Sequence, residues 1–193
     1  MPPRAKVTRE QIVDGALSVV RKKGAGALTA KALSEELSCS TQPVFWQFES
    51  MEELKKEVYA AALAVFGAYL RRQDAARSAY LAIGMNYIRF ATEERELFRL
   101  LFMSDFGQTD VVAARVEMEY ILGVIGESGA VSDENAQTVY RDMWLFSHGI
   151  AAMMATGTAN FTEAEAEKML SDVYRGLVQN LEGKIKQNRR SER

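Results

Sequence analysis

Cysteine is all but absent. Cys39 is the one thiol among 193 residues, so no internal disulfide can form and no cysteine cluster can hold a metal. Proline is almost as scarce, with three in the chain and two of them at positions 2 and 3, which keeps the helix-breaking ring out of nearly the whole length. Histidine occurs once, as His148. No stretch approaches about eighteen uninterrupted apolar residues, the length a membrane span needs. The opening MPPRAKVTRE carries charge with no apolar run behind it, unlike a secretory signal. Alternating Val/Thr segments joined by Asn-Gly or Asp-Gly turns are not found, so no hairpin is expected. What remains is the expectation of a soluble, cytoplasmic protein with no membrane partner, no metal and no cofactor.

Ala, Leu, Glu, Arg and Met are plentiful, and they favour helix over strand. Hydrophobic residues make up 48% of the chain, enough to bury a core without staples. The net charge of −2 hides an asymmetry: residues 1–48 hold seven Lys/Arg against four Asp/Glu, and the rest of the chain is acidic. A basic head on an acidic body points any polyanion toward the head.

The pattern along the chain predicts nine helices. Thr8-Arg9-Glu10-Gln11 is a capping box, followed by Ile12, Val13, Ala16, Leu17 and Val20 at helical spacing and by Gly24 as a C-cap. Thr29 caps a short second helix with Ala32, Leu33 and Leu37 as its buried stripe. Ser40 is expected to cap a third, with Pro43 in its first turn. Ser50-Met51-Glu52-Glu53 opens a fourth running to about Arg72. Helices are then expected over about 75–91, 93–103, 109–127, 133–156 and 162–187, the last capped by Thr162.

Two short helices joined by a tight turn behind a stabilising first helix form a helix-turn-helix, whose second short helix enters the DNA major groove. Ser40, Thr41 and Gln42 stand at the N-terminus of that helix, the end that suits phosphate. Gln pairs with adenine, and Thr meets base edges or the thymine methyl. Val44 and Phe48 lie four apart and should point inward, leaving Phe45 and Trp46 to flank the DNA backbone. The stretch LTAKALSEELSCSTQPVFWQFESMEEL resembles the DNA-binding signature of the TetR family of bacterial repressors. The matching positions are Thr29, Leu33, Ser40, Val44, Phe45, Phe48, Met51 and Leu54. WLFSHG, Trp144 to Gly149, is similar to a TetR subgroup marked by a Trp-x-x-x-His-Gly motif in its C-terminal domain.

The resemblance implies an all-α, nine-helix TetR-like architecture: a helix-turn-helix head over residues 1–50 and a helical-bundle ligand-binding and dimerisation domain over 51–193. It implies a homodimer on a double-stranded, palindromic DNA operator, with a small-molecule effector. The candidate DNA-binding residues are Lys6, Thr29, Lys31, Ser40, Thr41, Gln42, Phe45, Trp46 and Gln47. Three positions depart from the family pattern. Ser38 stands where the turn usually has Gly, Phe45 lacks the usual Tyr hydroxyl, and Met51 lacks the usual Lys charge. Fewer phosphate contacts mean weaker binding and a shallower salt dependence, leaving Arg4, Lys6, Lys31, Lys55 and Lys56 for the backbone.

Enzymatic function finds no support. His148 with Ser147 and Asp142 makes no triad, because adjacent helical residues do not face each other. Gly123, Gly126 and Gly129 lack the Lys-Ser/Thr of a phosphate loop. Cys39 is expected to be packed. Phe66, Tyr87, Phe90, Met103, Met118, Trp144 and His148 are expected to be core that doubles as ligand-pocket wall. Ala151 and Ala155, in a low-relief stretch, and Leu170, Val173, Leu177 and Leu181, in a broad apolar stripe, are candidate dimer contacts. The basic tail, Lys184 to Arg193, reads as a solvated helix end. A second reading keeps the scaffold as an all-α small-molecule sensor or carrier that no longer reads DNA.

Overall fold

The computed structural model describes residues 7–104, 117–129 and 131–191, with side chains to 181. Among the described residues there are nine α-helices and no strand, which agrees with the all-α expectation. They are α1 (Arg9–Lys23), α2 (Ala30–Glu36), α3 (Gln42–Gln47), α4 (Met51–Leu70), α5 (Ala79–Glu93), α6 (Arg95–Phe102), α7 (Met118–Glu127), α8 (Asp133–Thr156) and α9 (Glu163–Ser191). No helix among the described residues is long and apolar enough to cross a membrane.

The chain divides into two compact units. The first holds α1 to α3, α4 as far as Phe66, and α6. Its helices start where local chemistry satisfies the free N–H groups. Gln11 N–H donates to the Thr8 hydroxyl at 3.2 Å while Thr8 N–H donates to the Gln11 side chain at 3.0 Å. Ala32 N–H donates to Thr29 at 3.1 Å. Glu53 N–H donates to Ser50 at 3.2 Å, and the Glu53 carboxylate takes the N–H of Glu49 rather than that of Ser50.

Ser40 does not cap α3, contrary to expectation. The helix opens at Gln42, with Thr41 ahead of it making no side-chain cap bond. A Ser40 cap would draw on the N–H two or three residues on, and the third is Pro43, which has none. The turn before α3 carries Ser38 at φ +50°, a region that a side chain makes costly. Replacing Ser38 with Gly is expected to stabilise the protein by roughly 0.5–1 kcal/mol, the relieved strain net of Gly's extra chain entropy. A rise in the urea unfolding midpoint would show it; an unchanged or lower midpoint would mean the turn bears no such strain.

The core of this unit is built from Ile12, Ala16 and Val20 of α1, Leu33, Val44, Phe48, Leu54 and Val58, with Leu97 and Phe98 of α6, all at most 2% exposed. Phe66 packs its ring edge-on against Phe102 at 5.4 Å.

The second unit comprises the end of α4 from Gly67, α5, and the described chain from Glu117 onward. α8 is its centre, packing on α5, α7 and α9. Thr162 caps α9 as expected, with Glu165 N–H donating to its hydroxyl at 3.3 Å and the Glu165 carboxylate taking its N–H at 2.8 Å. Arg77 binds Asp74 and reaches Glu167 of α9 at 2.7 Å, and Arg89 of α5 pairs with Glu163. The Asp74 carboxylate also takes the N–H of Ala76 at 3.0 Å, which folds 74–77 as a turn and starts α5 at Ala79 instead of near 75. Buried Glu117 meets Arg71 at 2.6 Å, the pairing that a buried carboxylate requires.

α6 and α8 fall within two residues of expectation, and α9 runs past 187 to Ser191. The expected start of α7 at 109–116, with Val112 and Val116, lies outside the described residues, as do the side chains of the basic tail.

Candidate functional site

In the first unit, α1 packs on α2 and α3, and one side chain bridges α1, the end of α3 and α4. Arg9 lies 4.1 Å above the Phe48 ring, donates to the Gln47 carbonyl, and pairs with Glu53 at 2.7 Å and with Glu57. The Glu57 and Glu53 hydrogen bonds raise the Arg9 pKa further, and Arg9 in turn lowers that of Glu53. Three helices, α1, α3 and α4, are thereby tied at the end of α3.

With Val44 and Phe48 turned inward at 0% and 2% exposure, the other face of α3 is open. Thr41, Gln42, Phe45 and Trp46 are exposed, Trp46 at 71%, and so are Ser40, Thr29 and Lys31. Gln47 is half-buried, its carbonyl held by Arg9. An open face with two large rings and a run of Ser, Thr and Gln suits an edge-reading contact and leaves apolar area for a partner to cover. Of the candidate backbone cations, Lys31 and Lys56 are exposed, Lys55 pairs with Glu52 at 2.7 Å, and Arg4 and Lys6 lie outside the described residues. Cys39 is half-buried.

The second unit contains a cavity of about 780 Å³ lined from four helices. α5 gives Tyr80, Ile83, Gly84 and Tyr87; α7 gives Ile121 and Val124; α8 gives Tyr140, Met143, Trp144 and Ser147; α9 gives Leu170, Tyr174 and Val178. Its charged lining residues are Glu127 and Arg175, both exposed. The volume and the mainly apolar wall with a few polar groups suit a drug-sized ligand. Gly84 has a specific part: a Cβ there would sit 3.1 Å from the Leu170 side chain and 3.7 Å from the Ser147 hydroxyl.

Of the expected pocket residues, the structure brings Tyr87 and Trp144 to this cavity. His148 stands behind them, its Nδ1 sharing a hydrogen bond with the Tyr87 hydroxyl at 2.9 Å and its ring 5.7 Å from that of Trp144. Phe66 belongs to the other unit, Phe90 packs edge-on against Tyr69 at 5.3 Å, Met103 is exposed and Met118 is half-buried; none of these lines the cavity. Sequence reasoning missed the hydroxyl-bearing rings of Tyr80, Tyr140 and Tyr174. Tyr140, Met143, Trp144 and Ser147 do repeat at three- and four-residue spacing on α8, a stripe that could have been seen.

Burial keeps the Tyr87 phenol protonated, raising its pKa well above the usual value, while the nearby Trp144 N–H eases it slightly downward. The Trp144 Nε1 is itself buried, and its approach to the Tyr87 oxygen falls short of an aligned hydrogen bond.

Burial also lowers the His148 pKa below its ordinary 6.5, so the folded ring stays neutral. As pH falls, the unfolded chain takes up the proton first; the stability His148 contributes is present above about pH 6.5 and is lost as pH falls through that value toward the lower, folded pKa. With one histidine in the chain, thermal melts from pH 7 to 5 are expected to show a falling Tm that His148→Gln flattens. An equal fall in the variant would assign the effect elsewhere.

The expected dimer residues separate into two sets. Ala151, Ala155 and Leu170 are at most 1% exposed, covered by the chain's own helices. They are therefore not open faces, because α5 and α9 already pack against α8. Val173 is 38% exposed, and Leu177 and Leu181 are half-buried. Leu145 and Met153 on α8 are exposed and were not anticipated.

Comparison with known proteins agrees with this architecture. Residues 80–177 match the family model described as the tetracyclin repressor-like C-terminal domain. The chain is similar to an uncharacterized HTH-type transcriptional regulator of Mycobacterium tuberculosis, at 24% identity over 184 residues, covering 92% of this chain and 83% of that protein. Among solved structures, a protein of unknown function from Rhodococcus sp. RHA1 superposes with TM-score 0.72 at 20% identity, over 94% of this chain and 98% of the other. A TetR variant from Acinetobacter baumannii AYE in complex with minocycline gives TM-score 0.55 at 15% identity, over 92% of this chain and 97% of that one. With the family model spanning half of its length behind a helix-turn-helix head, the chain belongs to the TetR family of DNA-binding transcriptional regulators, which are not enzymes.

Proposed function

We propose that this regulator is a cytoplasmic homodimeric repressor that sits on a near-palindromic operator and leaves it when a small, largely apolar molecule enters the cavity of the second unit. The observation that carries the DNA half is the open face of α3, where Thr41, Gln42, Phe45 and Trp46 are exposed while Val44 and Phe48 are held inward. The division of labour falls near residue 50: residues 1–50 read DNA, and residues 51–193 bind ligand and dimerise. Ligand control follows if the molecule favours a state whose recognition helices no longer match the groove; release then extends only as far as its differential affinity for the two states.

The dimer reading is supported by exposed apolar side chains beside small residues. Leu145, Gly149 and Met153 follow at four-residue spacing on α8, and Val173 and Gly176 lie three apart on α9. A Cβ at Gly149 or Gly176 would meet nothing within 4 Å, so no packing inside the chain demands either glycine; a partner helix approaching closely would. Two half-sites read by such a dimer predict operator centres one helical turn apart, or a little more.

Binding of the purified protein to genomic fragments at two salt concentrations tests this reading, with the DNA upstream of its own gene included. Retention of a near-palindrome that weakens with salt is expected. The competing reading, a sensor or carrier on the same scaffold, draws on Phe45 and Met51, which bring no hydroxyl and no charge to the DNA backbone. A folded dimer that enriches no fragment at low salt would select it.

A further inference from the structure

We propose that the Trp144 indole N–H is the donor that reads the effector, and that the cavity therefore selects uncharged, mainly apolar molecules bearing a hydrogen-bond-accepting oxygen. This rests on the reading of the cavity as the effector site. Three observations carry it. First, an indole nitrogen can only donate, and this one is buried at the cavity wall, where the one nearby oxygen, that of Tyr87, already shares a hydrogen bond with His148 and is not aligned to accept from it. Polar groups in such positions are normally bonded, so a molecule that brings an oxygen completes a bond which the protein leaves unmade.

Second, the ring is held in place. Trp144 stacks at a tilt on His148, whose Nδ1 engages the Tyr87 hydroxyl, and Tyr87 lines the same cavity. A donor fixed by its neighbours discriminates better than a mobile one. His148 is a positioning residue here. It lies outside the lining and acts through the two rings that belong to it.

Third, the charged residues that line the cavity among the described residues, Glu127 and Arg175, are both exposed, so no buried charge faces a ligand. Ile83, Met143, Leu170 and the rings of Tyr80, Tyr87, Tyr140 and Tyr174 line the same cavity as Trp144. An ionised group carried past the exposed Arg175 to the apolar wall would lose its water without a buried counter-charge, so the oxygen is that of a ketone, ester, amide or ether and not of a carboxylate.

Benzophenone and diphenylmethane make the test, since they share two phenyl rings and differ in the carbonyl oxygen. Titration calorimetry on the full chain is expected to give tighter binding of the ketone by on the order of tenfold, the worth of one hydrogen bond. Trp144→Phe, which keeps a ring and removes the N–H, is expected to abolish that preference while diphenylmethane still binds. The unmodified protein gives a second readout: of its two indole N–H signals in a nitrogen–proton spectrum, one is expected to move downfield with the ketone and not with the hydrocarbon. Equal affinity for the two probes, or a preference that survives Trp144→Phe, overturns the proposal while leaving the effector cavity in place. Binding of neither probe overturns both.

Discussion

Phe48→Ala is expected to lower stability by about 3–5 kcal/mol, the range for removing a fully buried aromatic side chain. Phe48 is 2% exposed and closes the inner face of α3. It is also the ring over which the Arg9 guanidinium lies on its way to Gln47, Glu53 and Glu57. Packing and the cation–ring contact can be separated. Phe48→Leu keeps most of the buried volume and loses the ring, so it should cost about 1.5 kcal/mol or less. Urea unfolding followed by circular dichroism measures both, as a shift in midpoint at constant slope. If the leucine variant lost as much as the alanine variant, the Arg9 contact and not packing would hold Phe48 in place.

Thr41→Ala with Gln42→Ala is expected to weaken operator binding by roughly thirtyfold or more, since two base contacts at about 1–3 kcal/mol of discrimination each are lost. Both side chains are exposed and neither caps α3, so the fold should be indifferent to their loss. Binding to unrelated DNA and the salt slope should hardly change, because neither residue is charged. Lys31→Ala should do the reverse, weakening binding to all sequences alike and reducing the salt slope by about one. Titrations of operator and scrambled DNA at several salt concentrations separate the two patterns. An alanine pair that binds operator as tightly as the parent would remove α3 from sequence reading.

The helix starts at Thr8, Thr29, Ser50 and Thr162 were legible in the sequence because a cap is local, decided by residues within four positions. Ser40 does not cap, and one local reason stands in the sequence: the third residue after it is Pro43, which has no N–H to give. The turn strain at Ser38 could be anticipated from the residue type that such turns usually carry, and the structure places it at positive φ. The cavity was much less legible. Its wall comes from α5, α7, α8 and α9, and periodicity reveals which face of a helix is apolar but not which neighbour will cover it. Phe66 and Phe90 had the right chemistry for a pocket and were used for core. Ala151 and Ala155 had the right smallness for a partner helix and were covered by the chain's own. Tyr80, Tyr140 and Tyr174 escaped because each, taken alone, looks like an ordinary half-buried ring.

The two tryptophans fall one to each unit: Trp46 is exposed on α3 and Trp144 borders the cavity on α8. Trp46 should therefore emit at long wavelength, as a ring in water, and Trp144 at shorter wavelength, as a ring among apolar neighbours. The protein thus carries a separate optical reporter for each of its proposed partners. DNA would quench the red component and a cavity ligand the blue one, so occupancy of both sites could be followed in one cuvette without any label.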